Sequence, residues 1–164
     1  MLLDNIDAAG VAALVKNGSG KFRLFNVWST TCAPCVAEFP DLIKISRRMG
    51  LREFELITLS TDDPVDKAKA RAFLEKHRAA LPGGLRASLE KEGRKTNNYL
   101  YTGASMDELI KALDPQWPGP QPHTVLVSPE GKILWRHNGP TTTEQALLTA
   151  VLEAMTDVYQ PAKK

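Results

Sequence analysis

The chain has 164 residues, 43% of them hydrophobic and 24% charged, a composition that can bury one sizeable core and that excludes a disordered polypeptide. Its 21 Lys and Arg against 19 Asp and Glu leave a net charge of +2, with the cations scattered rather than striped, which argues against nucleic acid as the main partner. No apolar run approaches the ~18 residues of a spanning helix, and both cysteines, Cys32 and Cys35, sit in one motif, so neither a disulfide framework nor a four-cysteine zinc site can come from this chain alone.

Residues 1–7 carry neither a basic nor a long apolar stretch, so no signal peptide is expected; the chain reads as cytosolic or as the mature part of an exported precursor. One domain over 1–164 is expected. Residues 5–17 are apolar-periodic through Ile6, Val11, Leu14 and Val15 and end in Asn17-Gly18-Ser19-Gly20, which predicts a helix and a turn. Phe22–Trp28, aromatic and β-branched, predicts a central strand. A helix follows whose one face gathers Cys35, Phe39, Leu42, Ser46 and Met49, with Glu38 beside them. Pro40 lies inside it, and its missing N–H and clash with the Val36 carbonyl predict a kink.

Residues 54–59 alternate and predict a second strand. Asp62-Asp63-Pro64 supplies an N-cap and a first-turn proline for a helix to about Ala80, stopped by Leu81-Pro82-Gly83-Gly84. Between Leu85 and Gln121 the pattern gives a polar connection, a short strand at 98–101, a helix at 105–113 with the capping pair Ser105 and Glu108, and a proline-rich loop to Pro122. Residues 123–127 and 132–137 read as a hairpin around Ser128-Pro129-Glu130-Gly131, and an amphipathic helix over about 143–158 closes the chain. Strands joined through helices must be parallel and the hairpin antiparallel, so the expected fold is α/β, a central mixed sheet flanked by helices.

Two cysteines three residues apart at a helix start lie close enough to bridge, and the orphan N–H groups and positive dipole end stabilise a thiolate on the first of them. Cys32, at the outer edge, is then the attacking sulfur, and Cys35, one turn in, the resolving one. Pro34 in the first turn costs no hydrogen bond. The same pair also suits a structural bridge or half of a metal site, with His123 as a third ligand in a copper carrier. Glu38, one turn beyond Cys35, is either a buried proton relay or a solvated acid in the N-terminal half of a helix; spacing alone leaves both open.

Phe25-Asn26-Val27-Trp28-Ser29-Thr30, Cys32-Ala33-Pro34-Cys35, Glu38-Phe39-Pro40, Gln121-Pro122-His123-Thr124-Val125-Leu126-Val127 and Glu130-Gly131-Lys132-Ile133 together resemble the thioredoxin superfamily, and within it the TlpA/ResA-like thiol-disulfide oxidoreductases. The resemblance implies a thioredoxin fold with an insert at 85–120 before the strand that follows a cis-proline at Pro122, and a proton-relay role for Glu38. It implies exchange of the Cys32–Cys35 pair with a protein partner, as a reductant, in a monomer that needs no cofactor. The partners implied are a disulfide-bearing client and a membrane or soluble electron donor, in an extracytoplasmic setting. The residues expected to meet the partner are Thr31, Ala33 and Pro34 around Cys32, Gln121 and Pro122 across from them, and Trp28, which reads as a core or site-wall residue. A thiol peroxidase shares the fold, but its proline and threonine positions are Phe25 and Ser29 here. The family tryptophan before the first cysteine is replaced by Thr31, which predicts a more polar surface. The loop around Trp117 is expected at the partner-binding rim, with Trp117 either displayed there or packing the insert onto the body.

Overall fold

In the computed structural model, which describes residues 2–50, 52–81, 83–141 and 143–159, the chain runs β1 (Asp4–Ile6), α1 (Ala8–Lys16), β2 (Phe22–Trp28), α2 (Ala33–Arg48), β3 (Phe54–Ser60), α3 (Lys67–Lys76), α4 (Arg86–Lys91), β4 (Asn98–Tyr101), α5 (Met106–Leu113), β5 (His123–Val127), β6 (Ile133–Asn138) and α6 (Glu144–Tyr159). Short 3-10 turns lie at Pro64–Asp66 and Gly83–Leu85. Among the described residues the strands form one sheet in the order β1-β4-β3-β2-β5-β6. The first four in that order are parallel; β5 runs antiparallel to β2, and β6 to β5.

The side-chain period of two in β2 divides the core. Phe22, Leu24 and Trp28 join Phe39 and Leu42 of α2, Leu74 of α3 and Val151 of α6 on one face. Phe25 and Val27 join Val11 and Leu14 of α1 and Leu109 and Leu113 of α5 on the other. With both faces covered, β2 and β3 are buried along their whole length, polar residues included. Those polar residues are paired. Arg23 stands opposite Glu55 in the register, donates from Nε to Glu55 Oε1 at 2.6 Å, and donates to the Leu14 carbonyl at 2.8 Å. Asn26 points to the α2 side and meets Glu38.

The mixed sheet with helices on both faces, the central strand and the motif helix agree with the sequence pattern. Three segments do not. The periodic stretch 5–17 opens with a strand, because Ile6 pairs with Tyr101 in β1; α1 starts only after Asp7, whose Oδ1 accepts from Gly10 N at 2.8 Å. The helix expected to reach Ala80 is a 3-10 turn followed by α3, which stops at Lys76. Arg78 there takes a left-handed φ of 53°, with Arg78 N on the Glu75 carbonyl at 3.1 Å and Ala79 N on the Leu74 carbonyl at 3.0 Å, the paired bonds of a Schellman cap. Pro82 of the expected stop signal lies outside the described residues, and Gly83 and Gly84 belong to the second 3-10 turn. The polar connection after Leu85 contains α4, which buries Leu85 and Leu89; six helical residues are too few for periodicity to register in a charged stretch. Pro40 lies exposed within α2, which runs on through it to Arg48.

Candidate active site

β2 ends at Trp28, and α2 begins within one turn of chain. Cys32 is its N-cap, with extended backbone (φ −95°, ψ 98°), and its Sγ accepts from Cys35 N at 3.3 Å, satisfying one of the donors a helix start leaves orphaned. Pro34 follows in the first turn, where no N–H is needed. Cys32 and Cys35 are joined as a disulfide with their Cα atoms 5.2 Å apart. Cys32 is half-buried while Cys35 is only 1% exposed, so an attacking thiolate can reach the first sulfur and not the second. Thr31, Ala33 and Pro34 are exposed around it.

The segment before Cys32 is held by a residue that the sequence shows only as part of a helix start. Asp62 is buried and accepts from Thr30 N at 3.1 Å on each carboxylate oxygen, from Thr30 Oγ1 at 2.6 Å and from Ser60 Oγ at 2.7 Å. Thr61 N adds a bond to the Trp28 carbonyl at 2.9 Å. These contacts tie the end of β3 to the loop that carries Cys32. Trp28 is 0% exposed and stacks on Phe73 at 4.8 Å between ring centroids, in the core beneath the loop that carries Cys32.

Glu38 is 3% exposed on the face of α2 that carries Cys35. Its Oε1 accepts from Asn26 Nδ2 at 3.0 Å; its Oε2 accepts from Thr141 N at 3.0 Å and Thr141 Oγ1 at 3.3 Å. Burial lifts its carboxyl above the usual carboxylate range, while the bonds from Thr141 and Asn26 and the nearby His137 pull it back. A solvated acid is therefore not what stands here. Asn26 and Thr141 are hydrogen-bond partners of Glu38 that the sequence pattern did not single out, because they come from β2 and from the entry to α6.

The Gln121–Pro122 peptide is cis. Gln121 Nε2 donates to Thr61 Oγ1 at 2.6 Å, and the Pro122 carbonyl accepts from Gly139 N at 2.8 Å, which places this edge beside the loop after β3. Pro122 is buried and Gln121 half-buried. His123, considered as a third metal ligand with the cysteines, has both ring nitrogens engaged: Nδ1 accepts from Asn138 Nδ2 at 3.2 Å, and Nε2 therefore donates to Asp114 Oδ2 at 2.9 Å. Burial holds His123 below its usual value against the pull of Asp114. Burial works in the other direction on Asp114, but hydrogen bonds from Arg136, His123 and Gln116 N outweigh it and hold that carboxyl low. The pair is thus neutral histidine on ionised aspartate, a structural contact.

Trp117 settles between its two readings. It is 3% exposed, stacks on His123 with centroids 5.1 Å apart and planes 6° from parallel, and donates from Nε1 to the Pro120 carbonyl at 2.9 Å. It packs the insert onto the body. Trp117→Phe keeps a ring on His123 and loses the hydrogen bond, so it is expected to cost about 1–2 kcal/mol, a fall of about 2–6 °C in Tm, with the thiol-exchange rate unchanged. A calorimetric scan beside a rate assay checks this; a rate loss with unchanged Tm would return Trp117 to the partner surface.

No family model matches the chain. Thiol-disulfide oxidoreductase ResA of Halalkalibacterium halodurans is 21% identical over 138 residues, 84% of this chain and 65% of that protein. ResA of Bacillus cereus is 22% identical over 139 residues, 85% of this chain and 67% of that protein, so the chain spans about two thirds of the length of these curated relatives. Among solved structures, a thiol:disulfide interchange protein of the thioredoxin family from Chlorobium tepidum superposes with a TM-score of 0.61 at 17% identity, covering 88% of this chain and 84% of that one. The sheet order, the paired cysteines at the start of α2 and the cis peptide before β5 agree with these similarities: the chain has the thioredoxin fold and is similar to ResA thiol-disulfide oxidoreductases.

Proposed function

We propose that the protein is a thiol-disulfide oxidoreductase that reduces a disulfide in a partner protein. The observation that carries this reading is the Cys32–Cys35 pair at the start of α2, with one sulfur reachable, the other buried, and a buried carboxyl one turn further on. In the reduced form the Cys32 thiolate attacks the partner disulfide; a mixed disulfide forms and one partner sulfur leaves as a thiolate that takes up a proton. Cys35 then gives its proton to Glu38 and attacks Cys32 Sγ, releasing the second partner sulfur. Two electrons pass to the partner and the Cys32–Cys35 disulfide results. An electron donor must restore the dithiol.

Thr31, Ala33 and Pro34 form the exposed surface offered to the partner in this reading. Pro122, being buried, shapes the facing edge rather than supplying side-chain contact, and Gln121 lines it. The setting we propose is outside the cytoplasm, as for the TlpA/ResA-like proteins the chain resembles, with 1–164 acting as one monomeric domain. No described helix is long and apolar enough to cross a membrane. The reduction potential of the pair in a glutathione or dithiothreitol buffer tests the direction of flow. A value near roughly −270 mV supports a reductant, whereas one near roughly −120 mV would mean an oxidant and reverse the proposal.

The role of Glu38 has its own pH signature. Because its folded value lies above its unfolded one, its proton adds stability that is fully present below the ordinary value of 4.5 and is lost as pH rises through the folded value. Glu38→Gln is expected to remove that slope from the stability profile and to slow release of the partner from Cys32 by about tenfold to a hundredfold, flattening the pH dependence of that step. Stopped-flow exchange across the acid-to-neutral range checks it; a variant with a native pH profile would leave Glu38 a structural group only.

A further inference from the structure

The end of the sheet remote from the dithiol carries two adjoining clefts, of about 510 and 350 Å³, that share Ala80 and Leu81 as a common wall. Cys32 follows the C-terminal end of β2, whereas the smaller cleft is lined by Leu56 early in β3, Asn97 and Asn98 at the start of β4, and Gly50 beyond the end of α2. Because β2, β3 and β4 are parallel, these residues lie at the opposite pole from the reactive sulfur.

The chemistry of the clefts is one-sided. Their lining includes Leu2, Leu81 and Leu89 in the larger and Ile43 and Leu56 in the smaller, and the cations Arg86, Lys95, Arg47 and Arg78 stand along them. Among the described residues Glu90 is the one acidic side chain lining either. Arg94 also reaches the larger cleft but is committed to Glu55 and Glu92. The charged ends of Arg78, Arg86 and Lys95 have no acceptor among the described residues.

Arg78 supplies a second, independent observation. It holds the left-handed position of the cap that ends α3, where glycine is usual because a side chain there is strained. A long cation kept at a strained position on the edge of a cleft, with no acceptor for its charged end among the described residues, fits a side chain used by a ligand.

We infer that the two clefts form a docking groove for an acidic segment of a partner polypeptide, with carboxylates on Arg78, Arg86 and Lys95 and an apolar side chain seated against Leu81 and Leu89. The concave shape favours a chain segment over a bilayer, since a flat lipid surface does not reach the floor of a cleft. The spread of cations across both clefts favours several carboxylates over one small anion. A partner held at this pole leaves Cys32 and the exposed residues around it open, so docking and thiol exchange proceed together. The inference stands apart from the redox reading.

Fluorescence anisotropy with a labelled glutamate-rich peptide carrying a single leucine, titrated at low salt with the full chain, tests it. Saturable binding is expected, absent for the counterpart with lysine in place of glutamate. Arg78→Gly is expected to weaken binding about tenfold while Tm stays the same or rises, since glycine relieves the left-handed strain. Arg78→Lys is expected to retain most of the affinity, and a Cys32→Ala, Cys35→Ala variant to bind as the native chain does. Unchanged affinity in Arg78→Gly, or equal binding of the basic peptide, would overturn the inference. Displacement of the peptide by inorganic phosphate would overturn it in favour of a simple anion site, and binding of phosphatidylglycerol vesicles without peptide binding in favour of a membrane surface.

Discussion

Replacing Cys35 with alanine is expected to abolish turnover and to leave Cys32 covalently joined to its partner. The reason is positional. Cys32 sits at the N-cap, partly exposed, and can attack; Cys35 is 1% exposed among Phe39, Leu42 and their neighbours and reacts only with a sulfur already bound to Cys32. Without the second sulfur the mixed disulfide has no internal exit, and its lifetime is set by external thiols. Alanine suits the buried site better than serine, which would bring an unpaired hydroxyl into it. Turnover of an insulin disulfide should fall to the uncatalysed background in both Cys35→Ala and Cys32→Ala, but only Cys35→Ala should accumulate a near-stoichiometric adduct on a non-reducing gel. An adduct trapped by Cys32→Ala instead would exchange the two roles.

Glu55→Ala is expected to cost about 3–5 kcal/mol, a fall of about 6–15 °C in Tm, without any contact to the dithiol. Glu55 is 1% exposed in the middle of the sheet and accepts from Arg23 Nε at 2.6 Å and Arg94 Nη1 at 3.2 Å. Arg23, equally buried, also pairs with Glu92. Removing the carboxylate leaves the buried Arg23 guanidinium with Glu92 as its remaining counter-ion, and that only partly compensated charge dominates the cost. Replacing both buried partners by apolar residues, Arg23→Met with Glu55→Leu, should recover most of the loss, because the ion pair only roughly offsets the desolvation of its members. Chemical denaturation of the three variants checks the cycle. A double variant as unstable as Glu55→Ala would mean that the network contributes net stability.

This cluster also shows a limit of pattern reading. Residues 54–59 predict a strand but leave open which faces are covered; β3 is buried on both sides, and Glu55 is tolerated because Arg23 occupies the matching position on β2. Two opposite charges at equivalent places in adjacent central strands were a signal present in the sequence, visible only once the strand register is known. Asp62 and Asn26 are similar cases. Each reads as an ordinary turn or strand residue, and each acquires its role from a partner far along the chain, Thr30 for the first and Glu38 for the second.

Local chemistry was legible wherever a few neighbouring residues decide the outcome. The aromatic and β-branched run of β2, the helix start at Cys32 with proline in its first turn, the cysteine spacing and the cap at Ser105 follow from backbone preferences that act over three or four residues. The mixed sheet follows from the order of those elements. Tertiary structure alone decided that Trp28 and Trp117 are packed inside, that His123 is spent on Asp114 and Asn138, that β1 exists as an edge strand beside β4, and that Thr141 holds Glu38. Burial and hydrogen-bond partnership are properties of residues that the fold brings together from beyond the reach of backbone preferences, and no local preference carries that information.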